Sequence, residues 1–185
     1  MTILETGMDG LLVLEPKVFG DARGYFFESF SERDFSRLTG LDIAFVQDNE
    51  SMSAAGVLRG LHFQRRPHAQ DKLVRVVRGA VYDVAVDLRT GSPTFGHWKG
   101  FELSGENKRE LFIPAGFAHG FLSLEDDTVF QYKCSSYYEP SSEGSVRWDD
   151  PSIGIEWPLQ GMEYIVSAKD RSAPVLSEIP LSGLF

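Results

Sequence analysis

Polar and apolar residues alternate through the middle of the chain, and this pattern predicts β-strands. Two runs rich in β-branched residues, 72–78 and 80–88, are separated by Gly79. Alternate residues of a strand point to opposite faces, so one face of the second run is aliphatic or aromatic throughout. The other face carries Asp83 and Asp87 between small apolar residues. We therefore expect that face to point towards water or towards a polar cavity.

Short apolar runs bounded by turn residues predict further strands. They lie within residues 1–20, before a Pro–Gly turn region, and at residues 26–30, 98–103, 110–113, 120–124 and 128–135. Ser31, followed by acidic residues, is typical of a helix N-cap and predicts a short helix that runs through Leu38 and ends before Gly40. Many short strands and few helices predict a mainly β protein with a jelly-roll barrel, formed as one domain over residues 1–185. Its last quarter, from Trp148 onward, is expected to wrap the barrel irregularly.

The net charge indicates which partners are excluded, and the N-terminal sequence and the cysteine content indicate the cellular compartment. The formal net charge is −9, which argues against general binding of nucleic acids or anionic membranes. No run approaches the ~20 apolar residues that a membrane-spanning helix needs. The N-terminus lacks the basic and apolar segments of a signal peptide, and the single cysteine, Cys134, cannot form an intramolecular disulfide. These features predict a cytoplasmic protein.

One motif connects the barrel with a known fold. Residues 114–119 read PAGFAH, which matches the second half of the cupin signature, P-x-G-x-x-H. In that signature the glycine makes a tight turn and the histidine, here His119, points into the barrel. The expected fold is therefore a cupin-like double-stranded β-helix.

The first half of the same signature argues against a metal centre. Aligned on Gly79, Lys72 takes the place of the metal-binding glutamate, and Arg66 and His68 take the places of the two histidines. A divalent cation needs neutral imidazoles and carboxylates around it, and a lysine or an arginine in that shell would repel it. We expect no metal, and an interior suited to a bound anion or a developing oxyanion.

Several longer stretches resemble one enzyme family. They are DARGYFFE, FVQDNESMSAAGVLRGLHFQ, PHAQDKLVRVVRGAVYDVAVDLR, SPTFGHW, IPAGFAHGF, YKCSSYY and RWDDPSIGIEWP, in family order from about residue 19 to residue 170. The sequence is similar to the dTDP-4-dehydrorhamnose 3,5-epimerases. The resemblance implies a cofactor-independent epimerase that acts on dTDP-4-dehydro-6-deoxy-D-glucose at carbons 3 and 5.

The resemblance also implies catalytic roles. His62 resembles the family's base, and Asp170 resembles the carboxylate that holds its imidazole. Tyr132 resembles the acid on the opposite face of the sugar, and Lys72 the cation beside the ketone oxygen. This set suits the reaction, because a carbon next to a ketone loses its proton to a base when the resulting enolate oxygen is stabilised.

A second group of residues is expected from the resemblance to bind the nucleotide sugar. These are Arg23, Arg59 and Lys169 for the diphosphate, Gln47, Asn49 and Glu28 near the nucleotide, Tyr138 for stacking on thymine, and His119 and Glu143. In the family, residues 23–28 reach the site of a partner subunit, which implies a homodimer with sites completed across the interface.

Alternatives stay open at this point. The chain could epimerise one carbon only, isomerise a related dTDP-4-keto-6-deoxysugar, or bind a nucleotide sugar without catalysis. His68 and His97 are expected to be structural or exposed, and Cys134 to be a small buried residue. The sequence departs from the family's pattern at Glu50, where many relatives carry histidine, and at Asp71, where a small or neutral residue is common. Both add negative charge that either weakens nucleotide binding or faces solvent.

Overall fold

The computed structural model describes residues 1–158 and 163–185. Short strands dominate it, as the sequence predicts. The strands are β1 (Thr2–Glu5), β2 (Leu12–Glu15), β3 (Phe19–Asp21), β4 (Gly24–Phe26), β5 (Gln47–Ser53), β6 (Val57–Gln64), β7 (Lys72–Arg78), β8 (Ala80–Asp87), β9 (Trp98–Ser104), β10 (Glu110–Ile113), β11 (Phe117–Ser123), β12 (Thr128–Cys134), β13 (Glu143–Ser145) and β14 (Ile165–Val166). The helices are α1 (Glu32–Thr39) and α2 (Ala168–Arg171), with 3-10 turns at Pro140–Ser142, Leu176–Glu178 and Leu181–Gly183.

Two sheets form the barrel. The first has the strand order β1-β2-β10-β7-β12-β5, and the second has the order β13-β6-β11-β8-β9, with β14 added in parallel to β6. Strands β3 and β4 form a separate hairpin. Neighbours within each sheet mostly come from distant parts of the chain, as in a jelly roll, so the cupin-like β fold expected from the sequence is confirmed.

The apolar residues separate into three layers. The faces that the two sheets turn towards each other enclose a cluster that includes Val74, Val81, Ala85 and Phe130. Strands that are buried on both faces need a second cover outside the barrel. Helix α1 covers the outer face of the first sheet through Phe35, and the C-terminal quarter covers the outer face of the second sheet.

Local signals at the ends of α1 account for its position. The Ser31 hydroxyl accepts a hydrogen bond from the backbone N–H of Asp34, and Gly40 closes the helix with a φ of 73°. The helix runs to Thr39, one residue beyond the predicted end. None of the helices described in residues 1–158 and 163–185 is long and apolar enough to cross a membrane.

Some predicted boundaries were wrong. The strand predicted at residues 26–30 is absent, because β4 ends at Phe26 and residues 27–31 pair with no strand of the described parts of the chain. Residues 1–20 hold three strands or parts of strands where one was predicted. Strand β11 begins at Phe117, three residues before the predicted start. The last quarter is irregular as expected, although residues 159–162 lie outside the described residues.

Candidate active site

Two adjacent cavities open between the sheets, and three expected catalytic side chains line both of them. The cavity volumes are about 530 and 220 Å³, and the shared residues are His62, Lys72 and Tyr132. Together the two cavities bring together every expected site residue except Arg23 and Glu28. The larger is also lined by Arg59, His119, Lys169 and Asp170, and the smaller by Gln47, Asn49, Tyr138 and Glu143.

Arg59 and His62 line the same cavity although they are three positions apart on β6, a spacing that a regular strand places on opposite faces. The pairing explains this. Arg59 lies opposite Phe121 and His62 lies opposite His119, so β6 uses three steps where β11 uses two. This extra residue is a β-bulge, which re-aims the following side chain.

Gly60 makes the bulge possible. Its φ is 132°, and a Cβ built on it would lie 2.6 Å from the Cα of Gly120 on the neighbouring strand. No residue with a side chain fits there without a shift of the backbone. The glycine is thus required for the orientation of His62.

The His62 imidazole is held by a buried carboxylate. Its Nε2 lies 2.6 Å from Oδ1 of Asp170, whose side chain is 6% exposed. Asp170 sits in the first turn of α2, where Ser167 caps its backbone N–H at 3.0 Å. Burial alone would raise the pKa of Asp170, but the hydrogen bond and the charge of His62 hold that pKa below its ordinary value. The pair can therefore support a histidine that takes up a proton.

Lys72 and Tyr132 lie on neighbouring strands of the first sheet. The Lys72 Nζ is 6.0 Å from the centre of the Tyr132 ring. Burial lowers the pKa of the Lys72 ammonium, while the charges of Asp83 and Glu143 oppose that effect. Burial raises the pKa of the Tyr132 phenol, with Arg59 opposing. Tyr132 accordingly holds its proton at neutral pH, as an acid must before it donates.

Alternation along β5 sorts the polar residues near its start. Gln47 and Asn49 face the smaller cavity and are joined by a hydrogen bond of 3.0 Å. Asp48 and Glu50 point to the outer face, where Glu50 accepts a hydrogen bond from Gln131. The extra charge of Glu50 is thus directed away from the two cavities.

Asp71 also has a role outside the cavities. Its carboxylate accepts hydrogen bonds from the backbone N–H of Ala115 and from the Ser135 hydroxyl, at 2.9 Å each. It therefore ties together loops at one end of the barrel.

Three expected binding residues, two from the smaller cavity and one from the larger, form a hydrogen-bonded chain. Lys169 Nζ donates to Glu143 Oε1 at 2.6 Å, and the Tyr138 hydroxyl donates to Glu143 Oε2 at 3.2 Å. The bond from Lys169 holds the pKa of Glu143 below its ordinary value. Tyr138 is 51% exposed, so one side of its ring is available to a planar base.

Arg23 and Glu28 lie away from this group. The Arg23 side chain is 91% exposed on the β3–β4 hairpin and pairs with Asp21. Glu28 is exposed beyond β4. Within one chain, therefore, neither residue contributes to the cavities.

The structure corrects the alignment with the metal cupins. His62 and Gln64, not Arg66 and His68, are the alternate residues of β6 that line the cavities with Lys72. Arg66 is exposed and His68 half-buried in the turn after β6, while His97 is exposed. Among the described residues, no group of three histidine, cysteine or acidic side chains is arranged to hold a metal ion.

One residue that lines the larger cavity and one that lies behind it were not predicted as site residues. Ser51 lines it, and its buried hydroxyl has no hydrogen-bond partner in the described part of the chain. Asp83, on the face of β8 predicted to meet a polar cavity, is fully buried against His119. The alternation of Gln47, Asn49 and Ser51 was a signal for the first residue, and the acidic face of β8 for the second.

Comparison with known proteins identifies the family of this chain. The family model for dTDP-4-dehydrorhamnose 3,5-epimerase matches residues 5–178. The dTDP-4-dehydrorhamnose 3,5-epimerase of Salmonella typhimurium is 55% identical over 182 residues, which cover 98% of this chain and 99% of the relative.

Solved structures match over nearly the full length. One is dTDP-6-deoxy-D-glucose-3,5-epimerase from Legionella pneumophila in complex with dTDP-4-keto-L-rhamnose. It is 51% identical with a TM-score of 0.95, and the match covers 99% of this chain and 96% of that one. A 3'-monoepimerase from Streptomyces bikiniensis in complex with dTDP-quinovose is 40% identical with a TM-score of 0.88, covering 96% of this chain and 88% of that one. The family match over most of the chain and the high identities lead to one conclusion: this chain belongs to the dTDP-4-dehydrorhamnose 3,5-epimerase family.

Proposed function

We propose that this protein epimerises dTDP-4-dehydro-6-deoxy-D-glucose at carbons 3 and 5, to give dTDP-4-dehydro-L-rhamnose. The observation that carries the proposal is the His62–Asp170 pair, at 2.6 Å, in a cavity that Tyr132 and Lys72 also line. Base, acid and cation thus surround one space large enough for a sugar ring. Residues 1–185 are proposed to act as a single catalytic domain.

The proposed step moves one proton at a time. His62 Nδ1 takes the proton from the carbon beside the ketone, because Nε2 is bound to Asp170, and the C–H electron pair moves into an enolate whose oxygen carries the charge. Lys72 stabilises that oxygen. Tyr132 then donates its phenolic proton to the opposite face, the ketone re-forms, and a new C–H bond replaces the broken one. Proton exchange with water restores neutral Tyr132 and unprotonated His62, so the reaction consumes no other reactant, and we propose that it needs no metal or organic cofactor.

Asp170 has a supporting role in this scheme. Its carboxylate is kept ionised by the contacts around it, and it lies against the imidazole that becomes positively charged. A buried charge opposite a developing charge lowers the cost of proton uptake. The proposal therefore assigns to Asp170 both the orientation and the stabilisation of His62.

We propose that the nucleotide diphosphate is bound at the cavity mouth. Arg59 and Lys169 supply positive charge there, and Tyr138 offers an exposed ring face for thymine. The Arg59 guanidinium is oriented by the Ser53 hydroxyl at 3.1 Å. Gln47, Asn49, His119 and Glu143 are proposed to complete the contacts to the sugar nucleotide.

A homodimer is proposed for the two remaining residues. The hairpin that carries Arg23 exposes Phe19, Tyr25 and Phe26 at 54%, 61% and 71%. Exposed aromatic residues in one short hairpin are typical of an interaction surface. In a dimer, a second copy of the chain would cover these rings, and Arg23 and Glu28 of the first copy would lie at the cavity mouth of the second. Light scattering should give twice the mass of one chain, and a single-chain mass would contradict the dimer.

Replacement of His62 by alanine tests the base, and replacement of Tyr132 by phenylalanine tests the acid. We expect each change to lower kcat on the order of 10²-fold or more, because each removes a proton-transfer group. Binding of dTDP should change little, since neither side chain is assigned to the nucleotide. Retention of most activity in His62→Ala would contradict the mechanism.

Epimerisation at one carbon is the second candidate, and similarity to the 3'-monoepimerase of Streptomyces bikiniensis favours testing it. Incorporation of deuterium from solvent discriminates between the two. Two-carbon epimerisation labels carbons 3 and 5, whereas a monoepimerase labels one. A barrel that binds dTDP-sugars without catalysis would label neither.

A further inference from the structure

A second histidine–aspartate pair faces the larger cavity. The His119 Nε2 lies 3.0 and 2.9 Å from the two carboxylate oxygens of Asp83. The two side chains are 8% and 0% exposed. His119 lines the cavity together with His62, whereas Asp83 lies behind it on β8. The resemblance to the family assigned no role to Asp83.

The position of His119 ties this pair to the reaction site. Its Cα is the cross-strand partner of the Cα of His62 in the β6–β11 ladder, so both rings project from the same face. The His119 ring lies nearly parallel to the ring of Phe130, with the two ring centres 6.0 Å apart. In the described part of the chain, no hydrogen-bond partner reaches its other nitrogen, Nδ1.

We propose that Asp83 is a positioning residue that fixes the tautomer and the charge of His119 for the epimerisation. A carboxylate accepts hydrogen bonds, so Nε2 carries the hydrogen and Nδ1 is left available to the substrate. The Asp83 charge also stabilises His119 when it takes up a proton. His119 can then donate from Nδ1 to a sugar oxygen on which negative charge develops.

Electrostatics give Asp83 a reason to be buried here. Burial raises the pKa of Asp83, and the charges of His119 and Lys72 oppose this. An isolated buried carboxylate is costly, and one that faces two basic groups is much less so. Without Asp83, His119 and Lys72 would lose a buried carboxylate that interacts with both of them. The aspartate thus permits both to serve as donors.

A purely structural role predicts different behaviour, and the same strand offers a matched control. Asp87 is also fully buried on the same face of β8, four residues further on. It binds Arg89 at 2.8 Å, together with the hydroxyls of Ser92 and Thr94 at 2.6 Å each. Asp87 lines neither cavity. Replacement of either aspartate by asparagine therefore disturbs a buried carboxylate, but only Asp83 contacts a residue of the site.

The experiment compares four variants with the wild type: Asp83→Asn, Asp87→Asn, His119→Gln and the double variant Asp83→Asn/His119→Gln. We expect Asp83→Asn to lower kcat about 10–100-fold, with KM and the Kd for dTDP within about threefold of the wild type. Asp87→Asn should lower Tm and leave kcat within about twofold. If Asp83 acts through His119, its replacement should cost less than about twofold in the His119→Gln background.

Two results would overturn the inference. One is a kcat for Asp83→Asn within about twofold of the wild type, and the other is an equal loss in both backgrounds. If Asp83→Asn does not fold, ¹⁵N NMR of histidine-labelled wild type decides, because an unprotonated Nε2 on His119 would contradict the pairing. The inference rests on the proposed epimerase function, and the wild-type assay separates the two. An inactive wild type refutes the function, whereas an active wild type with an unaffected Asp83→Asn refutes the inference alone.

Discussion

Replacement of Glu110 by glutamine should make the protein more stable than the wild type, by a margin that grows as the pH rises from 4.5 to about 8. Glu110 lies on β10 and is 1% exposed, and neither carboxyl oxygen has a hydrogen-bond partner in the described residues. It faces a cavity of about 440 Å³ on the outer face of the first sheet, which Arg75 and Lys133 also line. Burial raises the pKa of Glu110 from its ordinary 4.5 to about 8, although both basic residues oppose the effect.

Proton linkage determines how the free energy of unfolding changes with pH. Below pH 4.5 the carboxyl is protonated in the folded and the unfolded chain, so its contribution to stability is complete. Between pH 4.5 and about 8 the unfolded chain releases the proton while the folded chain keeps it, and the free energy of unfolding falls. At about 1.4 kcal/mol per pH unit the loss reaches about 5 kcal/mol over that interval, as an order of magnitude. Glutamine does not ionise and should escape this loss.

Urea denaturation at pH 5, 6, 7 and 8 and at one protein concentration measures the effect. The stability difference between Glu110→Gln and wild type should grow steadily with pH, by several kcal/mol in total. The exposed carboxylate of Glu102 on β9 provides the control, and Glu102→Gln should run parallel to wild type. Parallel curves for Glu110→Gln as well would show that Glu110 ionises normally and would refute the reasoning.

Three further changes test the site. Asp170→Asn should lower kcat on the order of 10²-fold or more with little change in the Kd for dTDP, because His62 loses its charged partner; unchanged kinetics would contradict that role. Gly60→Ala should lower the free energy of unfolding by about 2–4 kcal/mol, because the new Cβ would meet Gly120. Gly24→Ala is the control and should cost less, because Gly24 has a similar φ of 127° but open space around it. Equal losses of stability for both glycines would show that the positive φ, and not the contact with Gly120, causes the loss. Lys169→Ala should weaken dTDP binding about tenfold in calorimetry, with kcat changed less, and a loss confined to kcat would contradict its assignment to the diphosphate.

Local signals account for the parts of the fold that the sequence predicts well. Helix α1 is predicted from Ser31 and Gly40, each of which caps one end of the helix through a contact with a nearby residue. Strands β7 and β8 are predicted from their own β-branched residues. The strand predicted at residues 26–30 was wrong because aromatic residues favour strands only where a neighbouring strand pairs with them. Beyond Phe26, no strand within residues 1–158 or 163–185 provides such a neighbour.

The candidate site likewise combines features that the local sequence predicts with features that depend on contacts between distant strands. Matching stretches of sequence picked out the residues that line the cavities, but their orientation depends on pairing between distant strands. Arg59 and His62 share a face because β6 is bulged against β11, some 60 residues further along the chain. The partner of His119 was equally hidden, since the pattern of β8 placed Asp83 on a polar face without showing what that face meets.

The most direct test of the central claim is proton NMR of EDTA-treated protein with dTDP-4-dehydro-6-deoxy-D-glucose in deuterated water. The account predicts exchange at carbons 3 and 5 in the wild type and neither exchange in His62→Ala. Exchange that occurs in untreated protein but is lost after EDTA treatment would contradict a metal-free reaction. Exchange at one carbon would make the protein a monoepimerase. Absence of exchange while the substrate remains bound would contradict the catalytic account as a whole.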